Sequence, residues 1–298
     1  MELSDTVLTH GGKFHADDVF SSALLKILRP DVKIRRVFEV PEGFDGLVFD
    51  IGRGKYDHHQ ENAEVRENGV PYAAFGLLWR ELGEEIFRNG GCTPVEAKKE
   101  AERFDEHFIQ PLDADDNTGC GCQLAGIISC FNPAWDSDRT PDECFTEAVD
   151  FAKVILKKKF QGTFSVQRAR ALVEAALAGM QDRVVVLSRF APWKMVLIPS
   201  EAEFVVYPSQ RGGFNAQVVP ADFNTEDAKC SFPQEWAGKE NEELQRISGI
   251  PELRFCHKGR FLISAKTQDG AVCACCAARK AAQTEKPSMP CQSAPFSL

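Results

Sequence analysis

Two short histidine-rich motifs, each placed where an apolar run gives way to a turn, constrain this chain more than any other feature. The first is Thr9-His10-Gly11-Gly12-Lys13-Phe14-His15-Ala16-Asp17-Asp18. The second is Phe49-Asp50-Ile51-Gly52, followed by Tyr56-Asp57-His58-His59-Gln60. The strand-like run Thr6–Thr9 precedes the first motif. Behind it, Ala16–Leu28 carries Val19, Phe20, Ala23, Leu24 and Ile27 at helical spacing and stops before Pro30. The apolar run Gly46–Ile51 leads into the second motif and reads as a strand buried on both faces. Val32–Val40 supplies a further strand, and Pro71–Arg88 and Pro94–Pro111 read as helices. Strands alternating with helices imply right-handed crossovers and a mainly parallel sheet. In such a sheet, ligands bind where strands end at their carboxyl edge, and both motifs stand at such an end.

The residue types there suit a cation. His10, His15 and Asp17 can converge on one point. Gly11 and Gly12 permit a tight turn, and the helix start after them offers free N–H groups to an anion. Asp50 ends an apolar strand, where an unpaired buried carboxylate is costly and a metal offsets the cost. Asp57, His58 and His59 place three metal-capable groups in succession. A third stretch, Asp113-Ala114-Asp115-Asp116-Asn117, gathers carboxylates that repel one another unless cations or solvent neutralise them. Asp113 and Asp116 stand as alternative ligands. Taken singly, each motif has an ordinary reading as a solvated turn, a core histidine or a helix-terminal acid. In series they read as a centre for two divalent ions, a known clamp for phosphoryl transfer. Mixed His and Asp ligation favours Mn, Fe, Co or Zn over the all-oxygen sites of Ca and Mg.

The rest of the chain divides by composition. Residues 1–150 carry 15 Lys+Arg against 30 Asp+Glu, and residues 151–298 carry 20 against 14. An acidic half suits metal binding and a basic half an anionic substrate. A metal-binding domain is expected over 1–140 and a helical connector over 141–182, in two runs that include Phe145, Val149, Ala152 and Ile155, then Ala169–Met180. A substrate-binding domain is expected over 183–282. Its strands read as Arg183–Leu187, Phe204–Tyr207, Asn215–Val219, Leu253–Cys256 and Phe261–Ala265, with a closing helix Asp269–Ala282. The Pro- and Ser-rich stretch 283–298 reads as a disordered tail. The 11 cysteines include no paired CxxC zinc spacing and read as small thiols in a reducing compartment. No apolar run approaches the roughly 20 residues that span a bilayer. Without a visible leader segment, a cytoplasmic location and no membrane partner are expected.

The motif series resembles the DHH phosphoesterase superfamily and, more closely, the Myg-type exonuclease family, also catalogued as an uncharacterised family of metal-dependent hydrolases. The resemblance runs from about residue 6 to 282. It rests on THGGKFHADD, FDIG, YDHHQ, the stretch 113–117, APWK at 191–194, VVYPS at 205–209, the turns at 236–238 and 248–251, and FCHKGRF at 255–261. It implies a mainly parallel-sheet DHH-type domain followed by a smaller mixed α/β C-terminal domain, and a 3′–5′ exonuclease acting on RNA. His10, His15, Asp17, Asp50, His58 and His59 carry over as site residues, with Asp57 beside them and Asp113 and Asp116 at the acidic motif. Two departures stand out. Thr118 separates Asn117 from Gly119 where the family reads D-N-G, and Leu262–Lys266 lacks the glycines with which related C-terminal domains cradle phosphate.

Three functions follow as expectations. The first is a phosphodiesterase on RNA or short oligonucleotides, a role in RNA processing, with two Mn (or Mg, Co or Zn) held by His10, His15, Asp17, Asp50, His58, Asp113 and Asp116. There Asp57, His58 and His59 serve catalysis. Arg211, Lys258, Arg260 and Lys266 grip the backbone, and Phe214 or Phe261 stacks a base. The second is a pyrophosphatase or dinucleotide phosphodiesterase on a small substrate. The third is a metal-binding partner protein without catalysis. A homodimer is compatible with all three.

Overall fold

The computed structural model describes residues 4–225 and 227–285; the stretch expected as a tail from 283 begins instead in a helix that runs to Glu285, and its remainder falls outside the described residues. It is a mixed α/β chain of two compact units, residues 1–164 and 165–298.

In the first unit, strand β1 (Thr6–His10) leads into helix α1 (Ala16–Leu28), and β2 (Lys33–Val37) pairs with β1 in parallel, Thr6 opposite Lys33 and His10 opposite Val37. The segment expected to be a doubly buried strand is a short edge instead. Leu8 bridges Val48 in parallel, the Leu8 amide donates to the Leu47 carbonyl at 2.9 Å, and the Phe49 amide donates to the Leu8 carbonyl at 3.0 Å. The parallel direction read from the sequence holds, but the sheet is small. Helices supply most of the unit: α2 (Ala74–Asn89), then α3 (Pro94–Phe104), which continues through a π turn (Asp105–Ile109) into α4 (Gln110–Thr118), then α5 (Gln123–Ser129). Pro111 does not end this helix: it lies directly after the π turn, at the start of α4. Thr93 and Glu96 cap the start of α3 reciprocally, and Gly119, at φ +64°, closes α4 in the left-handed region. The core is aromatic. Trp79 stacks on Phe104 at 4.7 Å and its indole donates to the Ala101 carbonyl, while Phe20 stacks on Phe75. Each such fully buried side chain contributes roughly 1.5–3 kcal/mol.

Helix α6 (Pro141–Ala178) is one helix where two runs were expected. Its Phe145, Ala148, Ala152, Leu156 and Phe160 belong to the first unit's core, and its Ala169 and Val173 to a cluster in the second. Packing at both ends carries the helix through Gly162 and Thr163, which are weak helix formers.

The second unit holds a five-stranded sheet in the order β3-β4-β5-β7-β6 (Val184–Val186, Phe204–Pro208, Phe214–Val218, Leu262–Ala265, Leu253–Cys256). Only β3 and β4 are parallel. Short helices α7 (Lys194–Leu197) and α8 (Asn241–Ser248) lie in its connections, and α9 (Gln268–Glu285) closes it. Alternation puts Phe204, Val206, Ala216, Val218, Ile263 and Ala265 on one face, in a core with Ala271, Ala274, Cys275 and Ala278 of α9. No disulfide joins the ten cysteines within the described residues.

Candidate metal centre

The two strand ends set the site. Because β1 and the 47–49 segment run in parallel with Leu8 beside Val48, the residues two positions further on, His10 and Asp50, emerge side by side. His10 Nε2 lies 3.2 Å from Asp50 Oδ2. The chain then folds back, the Asp50 amide donating to the Tyr56 carbonyl at 2.9 Å, which sets Asp57, His58 and His59 just beyond Asp50. This loop needs left-handed backbone at Asp50 (φ +55°), Gly52 and Arg53. For aspartate and arginine that conformation is strained, and such strain persists where the surroundings hold it.

Three sets of ligand-type atoms result, each spanning no more than 4.8 Å: Asp50 with His58 and His59, His10 with Asp18 and the same Asp50, and, separately, His15 with Asp17 and Asp116. His58 Nε2 joins the first set to the third, lying 3.2 Å from Asp116 Oδ2. The His58 and His59 Nε2 atoms stand 3.2 Å apart. Two nitrogens ligating one tetrahedral ion at 2.0–2.1 Å would be about 3.3 Å apart. Asp17, Asp18, Asp50 and His58 are buried, while His59 is largely exposed.

The electrostatics call for positive charge. Burial pushes Asp17 well up, and the nearby carboxylates of Asp50, Asp116 and Asp18 push it further. Asp18 is raised by burial, against the pull of His10. Burial alone would lower His10, but hydrogen bonds to Asp18 and Asp50 outweigh it and hold the imidazole up at about 10. Asp17 Oδ1 is buried and accepts no hydrogen bond. A buried carboxylate oxygen left unsatisfied costs about 1–3 kcal/mol or more. These residues therefore fit divalent cations by donor type, by spacing and by the oxygen left unsatisfied.

Asp113 and Asp57 lie outside the three ligand sets. Asp113, wholly buried, accepts from Arg66 Nη2 at 2.8 Å and from the Gly76 amide at 3.2 Å. Arg66 also grips Asp105. Helix α2 has Ala73 at its N-cap and no acid in its first turn. Asp113 and Asp17 serve its free amides from outside, Asp17 Oδ2 accepting from Ala74 at 3.3 Å. A Cβ at position 76 would collide with Asp113 and Arg66, so glycine is required there. Burial drives Asp113 up to about 7, with Arg66 opposing. Asp57 accepts from the amides of Arg53 at 2.6 Å and His59 at 3.0 Å and from His59 Nδ1 at 2.9 Å. Burial acts to raise it, yet these bonds win and hold it below the usual carboxylate range. It is a loop organiser that orients His59.

Two residues escaped the motif reading. Asp18 caps α1 through the His15 amide at 3.0 Å and meets His10 Nε2 at 3.0 Å. An acid three residues after a helix start is a capping signal that could have found it. Arg36 donates to the carbonyls of His10 and Gly12 and to Asp142, with its guanidinium over Phe145. It pins the first motif's turn, and no local pattern marks it.

The basic residues expected to grip substrate divide within the second unit. Arg211 lies in the β4–β5 turn and Lys266 just after β7, both at the edge where Phe214 pairs with Ala265. Lys258 and Arg260 lie in the β6–β7 turn at the opposite edge, beyond the pairing of Gln217 with Leu262. Arg260 donates to the Phe232 carbonyl. Phe214 is packed against the core, and Phe261 is exposed beside His257.

A family model described as "Uncharacterised protein family (UPF0160)", for the MYG1 exonuclease, matches residues 6–278. The chain is 28% identical over 312 residues to a protein named MYG1 exonuclease from Homo sapiens, covering 89% of this chain and 83% of that one. It is 26% identical over 322 residues to the MYG1 protein of Saccharomyces cerevisiae, covering 90% and 94%. To a MYG1 protein of Chlamydia pneumoniae it is 29% identical over 289 residues, covering 88% and 92%. No solved structure matches. No helix among the described residues is long and apolar enough to cross a membrane.

Proposed function

Because this chain belongs to the MYG1 exonuclease family (UPF0160), we propose that it is a divalent-metal-dependent phosphodiesterase that removes mononucleotides from an end of RNA or short oligonucleotides. The DHH superfamily resemblance is part of the same proposal. The observation that carries it is the gathering of His10, His15, Asp17, Asp18, Asp50, His58, His59 and Asp116 at two parallel strand ends, with a buried carboxylate oxygen left unsatisfied. In this reading the four aspartates with His10, His15 and His58 hold the cations, Asp113 supports them by fixing α2, and manganese suits the mixed donor set. Bound divalent ions would supply Lewis acidity toward the phosphate and an acidified water.

The chain's own groups do the rest. Asp57 fixes the His59 ring through Nδ1, which sets its Nε2 3.2 Å from His58 Nε2 at the exposed edge of the site, where it would join His58 on a cation or turn to a phosphate oxygen. His58 is locked by Asp50 and Asp116. Arg36 keeps the His10–Gly12 turn in place. In the second unit, Arg211, Lys258, Arg260 and Lys266 supply positive charge for a polyanion.

The test is turnover of single-stranded RNA with manganese, resolved by product length. The expected result is mononucleotide release, 3′ to 5′, that EDTA abolishes. Endonucleolytic fragments, or turnover indifferent to EDTA, would overturn it. The acidic balance of residues 1–150 favours a second reading, hydrolysis of pyrophosphate or dinucleotides. Turnover that falls steeply as chain length rises would select it.

A further inference from the structure

The five-stranded sheet is covered on one face by α9, but only in part on the other. There Val185, Val205 and Tyr207 pack under Trp193 and Leu197. Across β5 and β7 the same face carries Asn215, Gln217, Leu262 and Ser264, none of which joins a core cluster among the described residues. A cleft of about 620 Å³ opens at this uncovered part. Ligand pockets commonly fall between about 300 and 1,000 Å³.

The lining of the cleft has a consistent chemistry. Phe190 is 56% exposed and packs edge-on against Tyr207 with centroids 5.1 Å apart. Phe255 adds a second partly open ring. Arg211 and Arg254 supply two guanidiniums, and no carboxylate lines the cleft. Among the described residues neither arginine meets an acid. Arg254 donates to the Gly212 carbonyl at 3.1 Å, which ties it to the turn that presents Arg211. Asn215 and Ser264 contribute an amide and a hydroxyl beside the rings.

We propose that this cleft is a nucleotide subsite for single-stranded nucleic acid, with a base against Phe190 and a phosphate at Arg211 and Arg254. The proposal rests on the nuclease reading above and adds where a strand is held. Charge complementarity selects the occupant. Two unneutralised guanidiniums in a chain of net charge −9 call for an anion. The open ring beside them calls for a planar partner, which an acidic peptide or a lone phosphate does not supply. Side-chain amide and hydroxyl groups next to a stacking ring are donors and acceptors for a base edge.

The experiment is fluorescence anisotropy of a 5′-fluorescein-labelled RNA hexamer on the full chain in EDTA, with manganese-dependent hydrolysis of the same RNA run in parallel. Phe190→Ala should weaken binding about 10-fold, the size of one lost base stack, and Phe190→Trp should restore it. Arg211→Glu should weaken it at least as much and flatten its salt dependence. Adenosine monophosphate should displace the hexamer at lower concentration than inorganic phosphate or a polyglutamate peptide. Both side chains are exposed or line the open cleft, and unchanged circular dichroism will confirm that the variants fold. Variants that bind as the wild type does, while the wild type degrades the RNA, overturn the subsite and leave the nuclease reading standing. Competition by phosphate or polyglutamate equal to that by the mononucleotide also overturns it. A wild type that neither binds nor degrades the hexamer sinks both.

Discussion

The two units bury very different things. Every buried charged or polar side chain among the described residues lies in the first unit, including Asp17, Asp18, Asp50, His58 and Asp113. So do the buried side-chain atoms without a hydrogen bond, among them Thr9 Oγ1, Asp17 Oδ1, Ser21 Oγ, Ser22 Oγ, Asp50 Oδ1 and His58 Nδ1. The second unit's core is Phe, Val, Ile, Leu, Ala, Trp and Cys with Tyr207, and none of its charged side chains is buried among the described residues. A sheet and helix that close on apolar side chains need nothing more to be stable. A pocket of crowded carboxylates and imidazoles is held together at a cost, which a bound cation would offset.

Metal binding should separate the two units most strongly. Manganese at about 100 times its dissociation constant should add about 2.7 kcal/mol to the stability of whatever binds it. Hydrogen exchange should show the added protection around residues 9–18, 50–59 and 113–118 and leave residues 184–265 unmoved. Asp50→Ala should remove the protection and lower turnover by at least about 100-fold, since losing even an outer supporting group at a metal site costs 10–100-fold. Equal protection in both units would break the comparison.

How much of this was legible in the sequence follows the same division. The second unit's strands fall within a residue or two of their expected bounds, because period-two alternation between Gly, Pro and Ser turns is a local signal. Helix α8 left no such signal: Asn241–Ser248 is polar, with Leu244 as its one buried residue. In the first unit, His10 and Asp50 were readable from their place at strand ends. The separate fates of Asp113 and Asp116 were not. They stand one helical turn apart, and only the arrival of Arg66, 47 residues earlier in sequence, distinguishes them.

Asp116→Asn should weaken manganese binding by about 10-fold or more, measured by calorimetry, whereas Asp113→Asn should leave it unchanged. The carboxylate takes Arg66 on one oxygen and the Gly76 amide on the other, and asparagine keeps only one of these acceptors, so one buried donor loses its partner and stability near pH 7.5 should fall by about 1–3 kcal/mol. The pH dependence adds a sign. Asp113 titrates at about 7 in the fold against an ordinary 3.8, so the native state binds the extra proton between those values. Its contribution is therefore greatest below pH 3.8 and declines as pH rises to about 7. In Asp113→Asn that part of the decline should vanish from denaturation curves measured across this range. Should Asp113→Asn abolish manganese binding while Asp116→Asn spares it, the assignment of the two acids is reversed.

The smallest expected effect lies in the second unit and concerns how far its charge acts together. Lys258 and Arg211 sit at opposite edges of the same strands, separated at least by the paired stretch from Phe214 to Gln217. Three residue steps along a strand span about 10 Å, beyond the Debye length of about 8 Å at physiological salt. A nucleotide held at Arg211 therefore feels little of Lys258, and Lys258→Ala should weaken hexamer binding less than about 2-fold at that ionic strength. The same change in 10 mM salt, where the screening length reaches about 30 Å, should cost more. That salt-dependent gap would mark Lys258 as part of a long-range field. A loss as large as that of Arg211→Glu at physiological salt would instead mean that the strand runs the length of the sheet, and that the two turns act as one surface.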